Sequence, residues 1–292
     1  MKILFITLSL LLSSSLFASA RGIFFKKGNE SINIYSLEHL KSLFKVHQVS
    51  IYNPSTRKTE TYNAFSVNAV FKKAFSEKID WKSSFAFTIH TRDQYKPIIE
   101  TYKFLQREAY LAFERTDLAP FRAITEYGEK LKDLSPFYLI WIEDKEKVPS
   151  RRRSHWPYQV TGFSISGLPP KYLIPGPKAS KKISYGYKNV RKHCLACHTI
   201  NGFGSKKAGE LVSNGLVEFY SDKKLMRFIS KPRNINPLSK MPIFSPKIDH
   251  RTDRIRNIVH YLRYITKKNK SLEMSNGRID KTKKLNKALK SL

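Results

Sequence analysis

Cysteine is nearly absent from this chain: Cys194 and Cys197 are the only two in 292 residues. A framework of several disulfides is therefore excluded. A structural zinc site is also disfavoured, because it needs four ligands as a rule and no second Cys/His pair stands at finger spacing. Acidic residues are scarce as well, with 23 Asp and Glu against 54 Lys and Arg and a net charge of +31. Such a surplus favours solubility and anionic partners and says nothing about fold. Beyond the N-terminus no apolar run approaches the roughly 20 residues of a membrane span. No internal repeat is visible.

The N-terminus itself is distinctive. "MKILFITLSLLLSSSLFASA" carries one charge at Lys2, an apolar run from Ile3 to Leu12, and closes on Ala18-Ser19-Ala20. That is the layout of a secretory signal with a small-x-small cleavage site. The expectation is a cleaved signal peptide over 1–20 and a periplasmic, oxidising location, with an uncleaved anchor as the alternative. Position 21 is Arg, so no lipid anchor on a cysteine is expected there.

The remaining chain suggests two domains on size alone. Over 21–166, segments rich in β-branched and aromatic residues ("QVSIYN", "SSFAFTIH", "AYLAFER", "PFYLIWIE", "YQVTGFSI") read as strands. The spacings of "EHLKSLFKV" and "NAFSVNAVFKKAF" read as helices among them, which predicts an α+β domain. "GLPPKYLIPGPKAS" has four prolines in fourteen residues and marks a linker over 167–183. After it, "YGYKNVRKHC", "DKKLMRFIS" and "RTDRIRNIVHYLRYI" read as helices within 184–266, followed by a basic tail over 267–292 that is expected to be disordered, with a fraying helix as the alternative. Charge is uneven along the chain: residues 21–179 carry +10 and residues 180–292 carry +20.

Both cysteines fall in "HCLACH", a C-x-x-C-H motif, which in an exported protein is a covalent haem attachment signature. The spacing has a reason. On one helical turn Cys194 and Cys197 face the same side and can each join a vinyl group of the porphyrin, while His198 points at the iron. A redox-active disulfide or a metal site remains the alternative use of the pair. The second axial position calls for a thioether or an imidazole. Met241 in "NPLSKMPIF" is the candidate, on a proline-bounded loop 43 residues after His198, with backbone held extended by Pro242. His250 and His260 are the fallbacks. Met226 has the pattern of a core residue, and Met274 lies in the polar tail.

Residues 184–266 resemble a monohaem class I cytochrome c domain. The likeness rests on Cys194, Cys197 and His198, on "NGFGSKKAGEL", on "FISKPRNINPLSKMP" and on "IVHYLRYI". Gly186 stands where that family uses a glycine to let its first and last helices cross. The resemblance implies an all-α fold around one covalent haem c. One departure is Gly209-Glu210, where the family has Gly-Pro and the proline carbonyl accepts the proximal histidine's N–H. More loosely, residues 32–166 resemble the molybdopterin-binding domain of the sulfite-oxidase-like family, in "TYNAFSVNAVFKKAF", "FAFTIHTRDQYKPII", "AYLAFER" and the Trp-Pro segment. That family holds molybdenum through a cysteine thiolate. Both cysteines here belong to the haem motif, so no molybdenum is expected. Asp93, Tyr95, Arg115 and Trp156 are then structural relics or pocket residues, and Arg151 to His155 are expected to form a solvated loop, with anion binding as the alternative.

The expected fold class is thus an N-terminal α+β domain followed by an all-α cytochrome c domain. The expected function is an exported electron carrier, with the N-terminal domain docking a partner. Alternatives are an oxidoreductase that passes electrons to the haem and a haem-based sensor. Expected partners are redox proteins with an acidic docking face, met by Lys206, Lys207, Lys231, Arg233 and Lys240. An anionic membrane surface is possible, and no nucleic acid is expected.

Overall fold

A computed structural model describes residues 21–53, 58–75, 79–117, 120–124, 131–142, 156–246 and 248–289. The expected signal peptide over 1–20 and the basic cluster Arg151 to His155 lie outside the described residues.

The N-terminal part is built on two sheets. In the five-stranded sheet the order is β2-β1-β11-β5-β6, formed by Glu30–Ser36, Gly22–Lys27, Val160–Ser166, Ala86–Thr91 and Ile98–Glu100. β1 lies parallel to β11, so the first strand of this part is held by its last. The four-stranded sheet has the order β10-β7-β4-β3, formed by Tyr138–Trp141, Ala109–Arg115, Lys58–Ser66 and His47–Asn53, all antiparallel. Short strands β8 (Arg122–Ile124) and β9 (Leu131–Asp133) form a separate hairpin.

Three helices serve the core of these sheets: α1 (Leu37–Leu43), α2 (Val67–Phe75) and α3 (Thr101–Gln106). In α2, Val67, Val70, Phe71, Ala74 and Phe75 recur at helical spacing and are all buried. Phe71 is central. Its ring meets Phe87 at 4.5 Å, Phe163 at 4.9 Å, Trp81 at 5.3 Å and Phe104 at 5.3 Å, joining side chains of the five-stranded sheet to helix α3.

The C-terminal part has helices α4 (Lys181–His193), α5 (Leu216–Phe219), α6 (Asp222–Ser230) and α7 (Arg251–Leu289). The expectation of an all-α domain here is overturned, because the chain as a whole is mixed α/β. Directly behind the cysteine motif, β12 (Thr199–Ile200) and β13 (Phe203–Gly204) pair antiparallel. The physical reason is the two-residue connection Asn201-Gly202, whose φ values of 50° and 78° are both positive. An Asn-Gly pair adopts that backbone readily, and it closes a tight hairpin rather than continuing a helix.

The Pro-rich linker is anchored: Leu173 is fully buried in the C-terminal core, and its carbonyl accepts the Tyr261 hydroxyl at 2.8 Å. Of the two readings of the tail, disordered or helical, the chain takes the second, continuing α7 through Leu289. Among the described residues no helix is long and apolar enough to cross a membrane.

α4 and α7 cross closely at Gly186. A Cβ there would overlap the Asn257 carbonyl oxygen and lie 2.7 Å from Tyr261 Cβ. Both partners belong to a helix packed along α4, so neither can retreat without moving backbone. Gly186→Ala should therefore destabilise the protein by about 1–3 kcal/mol through overpacking, although alanine is the better helix former. Urea unfolding of the two proteins measures this, and an unchanged or raised midpoint would show that the helices can part without cost.

Candidate functional site

The site begins where α4 ends. Ser180 caps its N-terminus by accepting the Ile183 N–H at 3.4 Å, and Arg191, Lys192 and His193 fill its last turn, where the helix dipole favours positive charge. Cys194 is the C-cap, and residues 194–197 form one further turn. The N–H groups of Cys197 and His198 donate to the Cys194 carbonyl at 3.0 and 2.8 Å. Cys194, Cys197 and His198 are thus brought onto a single turn. The two cysteines are free thiols.

Every carbonyl of this turn has a donor. Ser205 N–H serves both Leu195, at 3.0 Å, and His198, at 3.1 Å, while Ala208 N–H serves Cys197 at 2.6 Å. The Ala196 carbonyl takes the N–H of Lys96, at 2.8 Å, from the loop between β5 and β6 in the N-terminal part. Leu195 and Ala196 are both buried, so a missing donor here would leave a desolvated oxygen.

His198 is aimed by its own ring. Nδ1–H donates to the Gly209 carbonyl at 2.8 Å. The acceptor is thus Gly209, one residue before the position at which the resemblance placed it. Glu210 acts elsewhere, where its carboxylate accepts the N–H of Asn201 at 3.0 Å and of Gly202 at 3.3 Å and so braces the hairpin turn. Burial holds the His198 imidazole below its ordinary pKa, against the raising effects of the Gly209 carbonyl and Glu210. A neutral ring with Nδ1 protonated leaves the Nε2 lone pair for a metal. Gly204, at φ 121°, lets the chain pass over this turn, since a Cβ would overlap the His198 carbonyl oxygen.

Burial pushes the Cys194 thiol up to about 12, with a smaller contribution from Cys197. Cys197 is raised too, chiefly by burial, with Lys207 opposing. Among the described residues no group of three or more His, Cys, Asp or Glu could hold a bare metal ion. The donor set fits a covalent haem: two protonated thiols on one turn, and an imidazole tied at Nδ1 and open at Nε2.

Met241 is half-buried on the loop after α6, with its N–H donating to Ser239 Oγ at 3.2 Å. None of the described hydrogen bonds links it to Cys194, Cys197 or His198. Its loop is nevertheless tied to the motif through Phe244, whose ring meets that of His193 at 5.1 Å and whose carbonyl accepts Arg251 Nε at 2.7 Å. Met226 packs against the C-terminal core and lines a shallow cleft with Arg227, Lys231 and Arg251. His250 is exposed in a left-handed conformation, and His260 lies on α7.

Of the four N-terminal residues singled out, Asp93 and Tyr95 meet Lys207, nine residues beyond the motif, while Arg115 and Trp156 take part in other packing. Asp93 pairs with Lys207, whose ammonium also lies 5.7 Å from the Tyr95 ring centroid. Burial alone would raise the Asp93 pKa, but hydrogen bonds from Lys207, Thr91 and the Tyr95 N–H bring it below the usual carboxylate value. Arg115 pairs with Asp117 at 2.6 Å and Glu60 at 3.5 Å beside Tyr62. Trp156 packs against Tyr138. Sequence reasoning missed Ser205, fully buried, whose hydroxyl donates to the Gln94 carbonyl at 2.5 Å. It also missed Tyr158, whose pKa is raised by burial and by nearby Asp93 and Cys197. No local pattern marks either residue, because their partners lie far away in the chain.

No protein-family model matches this chain, and no curated protein matches it.

β5, which carries the Asp93 loop, contains His90. Burial first, then the charges of Lys96 and Lys26, lower its pKa from 6.5 to about 4, while its Nε2 is 2.6 Å from Ser164 Oγ. An unfolded chain binds this proton at a higher pH than the folded one. Stability from His90 is therefore full above pH 6.5 and is lost as pH falls toward 4. With its partial exposure allowed for, the loss should be about 2 kcal/mol. Urea unfolding of wild type and His90→Gln across this range isolates the effect: the difference between them should shrink with falling pH, and a constant difference would contradict it.

Proposed function

We propose that the protein is an exported c-type cytochrome that carries electrons between redox proteins. The observation that supports this most is the tie from His198 Nδ1 to the Gly209 carbonyl, on the same turn as two free thiols. A disulfide oxidoreductase needs no such aimed imidazole one residue beyond its second cysteine. The reading does not depend on an all-α shell around the site.

Cys194 and Cys197 would hold a haem c by net addition of each S–H across a vinyl group, and His198 would present Nε2 to its iron. When bound, that group supplies reversible one-electron exchange between ferric and ferrous iron. The Gly209 carbonyl keeps the ring oriented and its tautomer fixed, which also raises the basicity of Nε2. Leu195, Ile200, Val190 and Phe244 belong to the apolar cluster against which Cys194 packs, which limits water near that thiol. Met241 is proposed to hold the group together with His198, supported by the anchorage of its loop beside His193. With both residues given to holding it, the reading is a carrier rather than an enzyme.

Covalent attachment has a direct check. The full-length protein from an exporting host, denatured in acid-acetone, should keep its red colour on the polypeptide with a mass increment of one haem. A colourless chain carrying a Cys194–Cys197 disulfide or zinc would end this reading. In Met241→Ala the loss of the thioether should open the sixth position to carbon monoxide and lower the reduction potential, because methionine favours the ferrous form. If the oxidised variant retains a sulfur-to-iron charge-transfer band, the ligand is Met226 rather than Met241.

A further inference from the structure

On one side of its cysteine turn the basic C-terminal part is matched by acids of the N-terminal part, while the loop after α6 carries cations with no such match. On the matched side Lys207 pairs with Asp93, and Arg191 reaches Glu100 at 3.3 Å. Arg191 also stands 5.4 Å from the Phe85 ring centroid. Backbone completes the contact: Lys96 N–H donates to the Ala196 carbonyl, and the Gln94 carbonyl accepts from Ser205 Oγ. Gln94 has φ 66°, a left-handed backbone uncommon for a side chain of this kind, and this turns residues 93–96 onto the motif. A buried carbonyl inside the C-x-x-C sequence thus depends on the N-terminal part for its donor.

The other side differs. Between Asp222 and Asp249 the sequence has seven Lys and Arg and no acid. Lys231, Arg233 and Lys240 are exposed, and none of the three has an ion pair among the described residues. Leu238 lies among them at 88% exposure. The loop has internal order: Arg233 Nε donates to the Ser239 carbonyl at 3.3 Å, Leu238 N–H to Asn236 Oδ1 at 3.0 Å, and Asn236 N–H to the Pro232 carbonyl at 2.9 Å. An exposed apolar side chain on a preordered loop ringed by unpaired cations suits an acidic protein surface, since little ordering entropy is lost on binding.

We propose that residues 93–96 of the N-terminal part are a built-in docking partner that occupies the Lys207 side of the C-x-x-C-H turn, and that an acidic redox protein docks instead on Lys231, Arg233 and Lys240 around Leu238. The second half rests on the reading of the protein as an electron carrier; the first does not. It assigns the N-terminal part a function, and it removes Lys207 from the set of residues open to an outside partner. The same complementarity is used twice, once within the chain and once beyond it.

The full-length haem-loaded protein tests both halves. Reduction by a reduced plant-type [2Fe–2S] ferredoxin, an acidic one-electron donor, is followed from about 10 to about 200 mM ionic strength, which spans the main change in screening. Lys231→Glu/Arg233→Glu/Lys240→Glu should lower the low-salt rate constant about tenfold and flatten its salt dependence, whereas Lys207→Gln should change the rate less than about twofold. A Lys207→Gln loss as large as that of the triple variant would overturn the assignment. So would a triple variant that loses binding to phosphatidylserine–phosphatidylcholine vesicles while its ferredoxin rate is unchanged. The built-in contact has its own readout in hydrogen exchange. The Lys96 amide should be protected, less so in Asp93→Asn, and protected again in the charge swap Asp93→Lys with Lys207→Asp. A Lys96 amide that exchanges like an exposed loop would refute it. Exchange, and calorimetric binding of oxidised ferredoxin, need no haem, so a colourless chain sinks the carrier reading without deciding the docking one.

Discussion

The carbonyl oxygens from Cys194 to His198 all need donors, because the turn that carries them is closed in by the C-terminal core on one side and by residues 93–96 on the other. This requirement organises the surroundings. α4 must stop at Cys194 so that the last helical N–H groups fold back on one carbonyl. Residues 205–208 must then return across the turn, which the Asn201-Gly202 reversal and the open backbone at Gly204 permit. Once that return is made, Gly209 is in position to hold the His198 ring. The chemistry proposed for the site is thus a consequence of backbone hydrogen bonding more than of any side-chain cluster.

Electrostatics divides the molecule in a way that net charge conceals. The N-terminal part commits two of its carboxylates, Asp93 and Glu100, to cations of the C-terminal part. Each pair is half-buried, so it gains more from proximity than an exposed pair while still losing solvation. The lasting effect is on position: Lys207 is held over Tyr95 by its pairing with Asp93, while the cations of the loop after α6 have no ion pair among the described residues.

The N-terminal part owes its rigidity to aromatic packing. With Phe71 at the centre of rings from β5, β11 and α3, the core that supports the five-stranded sheet leaves little freedom to the strand leading into the Asp93 loop. A loop anchored in this way can present one backbone N–H to a distant carbonyl with constant geometry. Arg115 and Trp156, which the resemblance grouped with Asp93 and Tyr95, instead serve the packing around the four-stranded sheet.

Local chemistry is legible without any knowledge of the fold. The spacing of Cys194, Cys197 and His198 depends only on the pitch of one turn, and the apolar periodicity of α2, α4 and α6 depends only on nearby residues. Gly186 and Asn201-Gly202 are equally local signals, and the second escapes notice because a two-residue hairpin leaves too short an alternation to read. What tertiary structure alone decided are relations between distant residues: the pairing of β1 with β11, the Gly209 carbonyl rather than its neighbour beneath His198, and the Lys96 donor for Ala196. Those partners are separated by 11 to more than 100 positions in the sequence. Such pairings follow from how packed elements meet in space, and a periodicity of two or 3.6 residues carries no information about them.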